Sequence, residues 1–403
     1  MAYLWRFGQR CRFSILDNLV VSEESRRNGR RAARTQSGRT AEIVSPPSTA
    51  DVEGGIHADQ AEAYGGPRDR TRIALPTLSS AADHLTAPAP LKAPLAAKDI
   101  VVAGIVFQDD QFIKTMVRGF QDGATKAGVP AANILVSNSN NDQVKEAELI
   151  NTMVSRGVNG IAITPLSPTV SMEALIKQAN DKGVAVAITN SGGFTDVGFV
   201  VAGYMSENRA NGMAMGEAAA QYVKAHNLAM PIKLGIINYD AQKPEESSLR
   251  WKGFEEALKK GGVDFDQVAS QSAIVQDAAL IAATDMLTAH PEIQLMFASN
   301  EGGTIGAVQA VKQSGKKIPV FGYDGSDQIT SMIINDDLQA AVAQDPYAQG
   351  TMAMTDLIGW LQGKPGPSVG KLTVAPGVVL SGTDKAAVNK WRVDNGLKPL
   401  PIK

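Results

Sequence analysis

The chain has 403 residues, 44% of them hydrophobic, with 39 basic and 41 acidic side chains and a formal net charge of -2. That length exceeds what one hydrophobic core usually covers, so two domains are expected, and so small a net charge removes any electrostatic argument for nucleic acid or an acidic membrane surface. Cys11 is the only cysteine, which leaves the rest of the chain without an internal disulfide or a thiolate metal cluster and fits an oxidising compartment without requiring one.

The first 97 residues differ in habit from the rest. Arg26, Arg27, Arg30, Arg31 and Arg34 lie close together, whereas the chain from Lys98 on uses lysine and holds only Arg118, Arg156, Arg209, Arg250 and Arg392. The leading segment is rich in Pro, Gly and Ser, lacks sustained periodicity, and reads as an unfolded tail or an extension upstream of the true start. It ends in Ala93-Pro94-Leu95-Ala96-Ala97, which looks like a secretory cleavage site, but Asp83 and His84 interrupt the apolar stretch a signal peptide needs.

From Lys98 one unit repeats: an apolar run, a polar turn, an amphipathic helical stretch. Lys98–Phe107 leads into Phe112–Ala127, Ile134–Ser137 into Gln143–Arg156, Gly160–Thr164 into Ser171–Asp181, and Val184–Thr189 closes a first set. A second set opens with the helix Asn208–His226. Ile232–Asn238 then leads into Ser247–Lys260, Phe265–Ser272 into Asp277–Ala289, Glu292–Ser299 into Thr304–Ser314, and Ile318–Tyr323 follows. A short helix near Gln328–Ile334, a strand Leu338–Ala343, a helix Ala348–Gln362 and extended runs around Leu372–Leu380 complete the pattern. Alternation of this kind predicts an α/β protein with two doubly wound parallel-sheet lobes. Ligands of such sheets bind beyond the carboxyl ends of the strands.

Those ends carry carboxylates, carboxamides and aromatics. Phe107-Gln108-Asp109-Asp110-Gln111-Phe112 puts two carboxylates and two rings at one strand end, where an Asp also serves as a helix cap and Asp109 is the natural candidate. Asn190-Ser191-Gly192-Gly193 is equally good turn chemistry. Glu301-Gly302-Gly303 lacks the spacing of a dinucleotide fingerprint, and its carboxylate would repel phosphate, so it reads as a tight turn. The four histidines are scattered, and no G-x-S-x-G or H-E-x-x-H occurs. No cofactor or catalytic metal is expected, and the chain reads as a non-enzyme.

Several segments together resemble a known family: the opening Lys98–Phe112, Asn190-Ser191, Arg250-Trp-Lys-Gly-Phe254, Leu287-Thr-Ala-His-Pro291, Ala298-Ser-Asn-Glu301, Val320-Phe-Gly-Tyr-Asp-Gly325 and Ala343-Gln344. In order and spacing they are similar to the ribose-binding-like, type I periplasmic sugar-binding proteins of ABC importers. The resemblance implies two lobes joined by a three-strand hinge, with residues 98–206 plus 345–376 in the first and 207–344 plus 377–403 in the second. It implies ligand contacts for Asp110 (where the family usually has Asn), Phe112 (a stacking ring), Phe107, Arg250, Asn300, Asp324 and Gln344, with Asp109 beside them. Asn190 stands where pentose and hexose binders commonly place Asp, and Ser191 where ribose binders often have Arg, so ribose itself does not follow.

A sugar presents hydroxyls that donate and accept and C–H faces that are apolar, which suits carboxylates and amides flanked by rings. Hydrogen bonds to charged groups contribute about 1.5–3 kcal/mol each, so three or four reach the roughly 8 kcal/mol of a micromolar binder after ordering costs. The resemblance thus implies an exported, periplasmic, monomeric receptor that takes a monosaccharide or polyol to membrane permease subunits. Two alternatives stay open: the core of a sugar-responsive transcription regulator, although the first 97 residues show no helix-turn-helix pattern, and a receptor of the same fold for a furanosyl or lactone signal.

Overall fold

The computed structural model describes residues 93–166, 169–191 and 200–402. Expectations for residues 1–92, including Cys11, His57, His84 and the arginine cluster, lie outside these.

In chain order the first elements are β1 (Val102–Val106), α1 (Gln111–Lys126), β2 (Ile134–Asn138), α2 (Gln143–Ser155), β3 (Gly160–Ile163), α3 (Thr169–Asp181), β4 (Ala185–Thr189) and β5 (Val200–Ser206). There follow α4 (Asn208–Ala225), β6 (Ile232–Asn238), α5 (Pro244–Lys260), β7 (Phe265–Ser272), α6 (Gln276–Ala289), β8 (Leu295–Ala298), α7 (Glu301–Ser314), β9 (Val320–Tyr323), α8 (Asp327–Ile334) and β10 (Ala340–Ala343). The chain ends with α9 (Pro346–Leu361), β11 (Leu372–Ala375), β12 (Val378–Ser381) and α10 (Lys385–Asp394).

Two six-stranded sheets result, in the orders β11-β5-β4-β3-β1-β2 and β12-β10-β9-β8-β6-β7. All pairings are parallel except β12 against β10. The strand order reverses beside β1 in one sheet and beside β6 in the other, which places a binding crevice at their carboxyl ends. The chain passes between the sheets three times, after β5, after β10 and after β11. Strands β1, β3 and β4 are buried along their whole length, as helices on both faces require.

Sequence pattern and structure part in three places. Strand β5 is missing from the expected pattern; it runs to within one residue of α4, with only Glu207 between them. Helix α10 is short and mostly polar, and is held by burial of Val388 and Arg392, the latter donating to Thr330, Asp327 and the Lys398 carbonyl. Residues Ala93–Ala97, grouped by composition with the leading segment, dock on the first lobe, where the Leu95 N–H donates to the Leu361 carbonyl at 2.9 Å and Leu95 packs on the core.

Helices α4 and α5 approach backbone to backbone, and this contact fixes where Arg250 stands. A Cβ at Gly253 would lie 2.4 Å from the Arg209 carbonyl oxygen, and one at Gly212 would lie 2.0 Å from that of Arg250. Only glycine permits that separation. Gly253→Ala is therefore expected to lower the unfolding free energy by about 1–3 kcal/mol, read as a lower urea midpoint at unchanged slope.

Candidate functional site

The strand ends of the two sheets line a cleft with about 380 Å³ of non-atom space, open solvent included. Lobe one contributes Phe107, Gln108, Asp110, Phe112 and Asn190; lobe two contributes Tyr239, Lys243, Glu246, Arg250, Ile274, Asn300, Glu301, Asp324 and Gln344. The lobes touch directly, since Tyr239 and Ile274 pack into the same apolar cluster as Phe107 and Leu166. The structure is a closed form.

Arg250 organises the second lobe's side. It is 3% exposed, donates through Nε to Asn208 Oδ1 (2.8 Å) and through Nη1 to the Ser299 carbonyl (2.9 Å), and lies over the Tyr323 ring at 4.1 Å. Its Nη2 reaches Gln344 Oε1 at 3.4 Å, and Gln344 Nε2 donates to Asp324 Oδ1 at 2.6 Å. The amide thus links cation to carboxylate. Helix α5 begins at Pro244, with Glu245 and Glu246 in its first turn, so Arg250 sits in the second turn.

Asp324 follows β9 with φ of +74°, a left-handed backbone that costs a non-glycine residue energy and turns its carboxylate out of the sheet direction. Capping of the next helix falls to Ser326, which accepts from the Ile329 N–H, so Asp324 is not a cap. Tyr323 is fully buried beneath it and packs against Arg250. Asn190 is also left-handed, with φ of +49°, a conformation Asn tolerates.

On the opposite wall the cap of α1 is Asp110, whose Oδ1 accepts from the Ile113 N–H at 2.8 Å. Asp109 is exposed and paired with Lys114 at 3.3 Å. It does not line this cavity but borders the adjoining space with Gln108, Asp110 and Glu301, and the cap of α1 expected of it is made one residue later by Asp110. Asn300 lines the cavity but also caps α7, accepting from the Gly303 N–H and donating to the Ile274 carbonyl.

The residues that sequence reasoning left out bridge the lobes. Lys243 forms a buried pair with Glu246 at 2.7 Å, each side chain 7% exposed. Its Nζ lies 5.3 Å from the Phe107 ring centroid and 3.4 Å from the Asn190 carbonyl oxygen, both in lobe one. Glu301 Oε2 accepts from the Phe112 N–H at 2.9 Å, again across the lobes. Position was the available signal for Tyr239, which directly follows β6 as Asp324 directly follows β9, but not for Lys243, which lies further along the loop before α5.

Three carboxyl groups from both lobes therefore share one water-poor space. Burial is the largest cause pushing Glu301 up to about 8, with the charges of Asp110 and Asp324 adding to it. Burial likewise pushes Asp110 up to about 6, opposed by the Ile113 N–H and assisted by Asp324, and it raises Asp324 against the pull of Arg250 and Gln344. Among the described residues no group of His, Cys, Asp and Glu is placed to hold a metal ion.

Two doubly wound lobes, crossed three times by the chain and meeting over a polar, ring-lined cavity, define the class of hinged ligand traps. The model of the family described as periplasmic binding protein domain matches residues 100–365, and the chain belongs to that family, in its ribose-binding-like type I branch. It is 30% identical over 253 residues to the ABC transporter periplasmic-binding protein YphF of Escherichia coli K12, covering 61% of this chain and 76% of the relative. It is 28% identical over 261 residues to the ribose import binding protein RbsB of Haemophilus influenzae, covering 64% and 84%. Among solved structures, the Caulobacter myo-inositol binding protein bound to myo-inositol superposes with a TM-score of 0.62 at 22% identity, covering 74% of this chain and 98% of that one.

A carboxyl raised by folding stabilises the fold fully below its unfolded value and loses that contribution as pH climbs through the folded one. For Glu301 the window runs from 4.5 to about 8. The melting temperature is expected to fall from pH 5 to pH 8.5, and Glu301→Gln to flatten that slope; a wild-type profile flat across the window would refute the assignment.

Proposed function

We propose that the protein is a periplasmic receptor that captures a monosaccharide or related polyol between its lobes and delivers it to the permease subunits of an ABC importer. It acts as a monomer, carries out no chemistry on the ligand and needs no cofactor. The observation that carries this reading is the juxtaposition of Asp110, Glu301 and Asp324 with the rings of Phe107 and Phe112 around one closed cavity. Carboxylates accept from several hydroxyls at once, and rings cover the apolar C–H face.

The relatives support the substrate class. Ribose, D-galactose and D-allose appear in the names of curated relatives, and myo-inositol, D-fucose and D-allose in those of bound structures. Because those relatives are periplasmic by name, and no described helix is long and apolar enough to cross a membrane, we place this protein in the periplasm. No observation favours the regulator or signalling-molecule alternatives.

Closure follows from differential contact. The open form offers a ligand one wall, and the closed form offers both, so the ligand shifts the population toward closure. In a thermal-shift screen of pentoses, hexoses, deoxysugars and polyols, a cognate compound at about 100 times its Kd should add about 2.7 kcal/mol of stability, and Asp324→Ala should abolish the shift. A screen in which every compound leaves the melting point unmoved defeats the sugar reading.

A further inference from the structure

The wall of the cavity holds a polar group with no partner. Gln108 stands at the carboxyl end of β1, between Phe107 and Asp109, is 6% exposed and lines the cavity. Its Nε2 is buried and makes no hydrogen bond. The other buried unpartnered side-chain atoms among the described residues, on Ser139, Asn211, Gln242 and Thr351, do not line this space. A buried donor left unpaired costs free energy, and native folds rarely retain one without a use.

The root of this side chain is pinned. Asn138 Nδ2 donates to the Gln108 carbonyl at 2.7 Å, and Asn138 Oδ1 accepts from the Asn140 N–H at 2.8 Å, so the end of β2 straps the end of β1. The loop that carries Gln108, two residues past β1, is therefore tied through its backbone to the end of β2.

The two cations of the cavity are already engaged. The Lys243 ammonium is engaged by Glu246 and the Asn190 carbonyl, and the Arg250 guanidinium by Asn208, Ser299 and Gln344. Asp110 and Asp324 supply acceptors when ionised, and Glu301, raised to about 8, presents an O–H as well as an acceptor oxygen near neutral pH. We propose that Gln108 is a specificity-determining residue of this site, its side-chain NH2 donating to an acceptor oxygen of the bound sugar or polyol. The ligand is then polarised: hydroxyl donors face the carboxylates, and one oxygen at the β1 end serves as acceptor. A molecule carrying a methylene at that position is rejected, because it leaves the amide buried and unpaired. This rests on the reading of the cavity as a sugar or polyol site.

The test is isothermal titration calorimetry on the full chain, wild type and Gln108→Leu, with D-ribose, D-galactose, D-allose, D-fucose and myo-inositol, then with monodeoxy analogues of whichever binds. Gln108→Leu should weaken the parent compound about 5- to 150-fold, the loss expected for one buried hydrogen bond. One monodeoxy analogue should bind wild type more weakly than the parent does, yet lose little further in the variant, because its missing oxygen is the one Gln108 meets. Equal affinity of wild type and variant for the parent overturns the proposal, as does a variant that weakens every analogue by the same factor. If Gln108→Leu fails to fold by circular dichroism, Gln108→Met, unbranched and without a donor, decides by the same criteria. Wild type that binds none of the compounds overturns the sugar reading itself and this proposal with it, an outcome distinct from a wild type that binds and a variant that binds equally.

Discussion

The link from the Arg250 guanidinium through the Gln344 amide to the Asp324 carboxylate is the contact on which the site depends. A buried cation without compensation would be too costly to keep, and a buried carboxylate likewise. Here neither is isolated, because an amide relays between them and Tyr323 stacks beneath the guanidinium. The same relay joins three parts of the fold. Arg250 comes from α5, Asp324 from the end of β9, and Gln344 from the crossing that returns the chain to lobe one. Removing any member strands a charge and also loosens a hinge segment.

Closure has an opposing cost. It brings Asp110 from one lobe against Glu301 and Asp324 from the other, and their raised protonation tendencies measure how unwelcome three charges are in that space. Direct bridges offset part of this cost: Glu301 to the Phe112 N–H, Lys243 to the Asn190 carbonyl, and apolar contact of Tyr239 and Ile274 with lobe one. A polyhydroxylated ligand offsets more, because each hydroxyl donated to a carboxylate replaces lost water. A ligand carrying its own negative charge would worsen the repulsion. On the proposed receptor reading, the carboxyls that bind the ligand would also select for neutral ones.

Much of this was legible in the residues. The alternation of apolar runs and amphipathic stretches gives the two parallel sheets, since period and length distinguish buried strands from helices, and the family resemblance of the segments at their ends is what points to Asp110, Asn300, Asp324 and Gln344. Two adjacent carboxylates at a helix start are equivalent in sequence, and only backbone direction decides that Asp110 and not Asp109 caps α1, while Asp109 is exposed beside Lys114. Lys243 and Glu246 were passed over because a Lys-Pro-Glu-Glu stretch reads as a solvated helix start, and their burial arises from the other lobe lying over them. Contacts made only when two domains meet leave no periodic trace in either one.

The central claim is that ligand contacts on both walls drive the lobes together. The most direct measurement is the distance distribution between spin labels on the exposed positions Glu148 and Gln313, in a Cys11→Ser background, with and without the sugar or polyol giving the largest thermal shift. The account predicts that the ligand collapses the distribution onto a single short component matching the closed form. A bound ligand that leaves the distribution unchanged would contradict it.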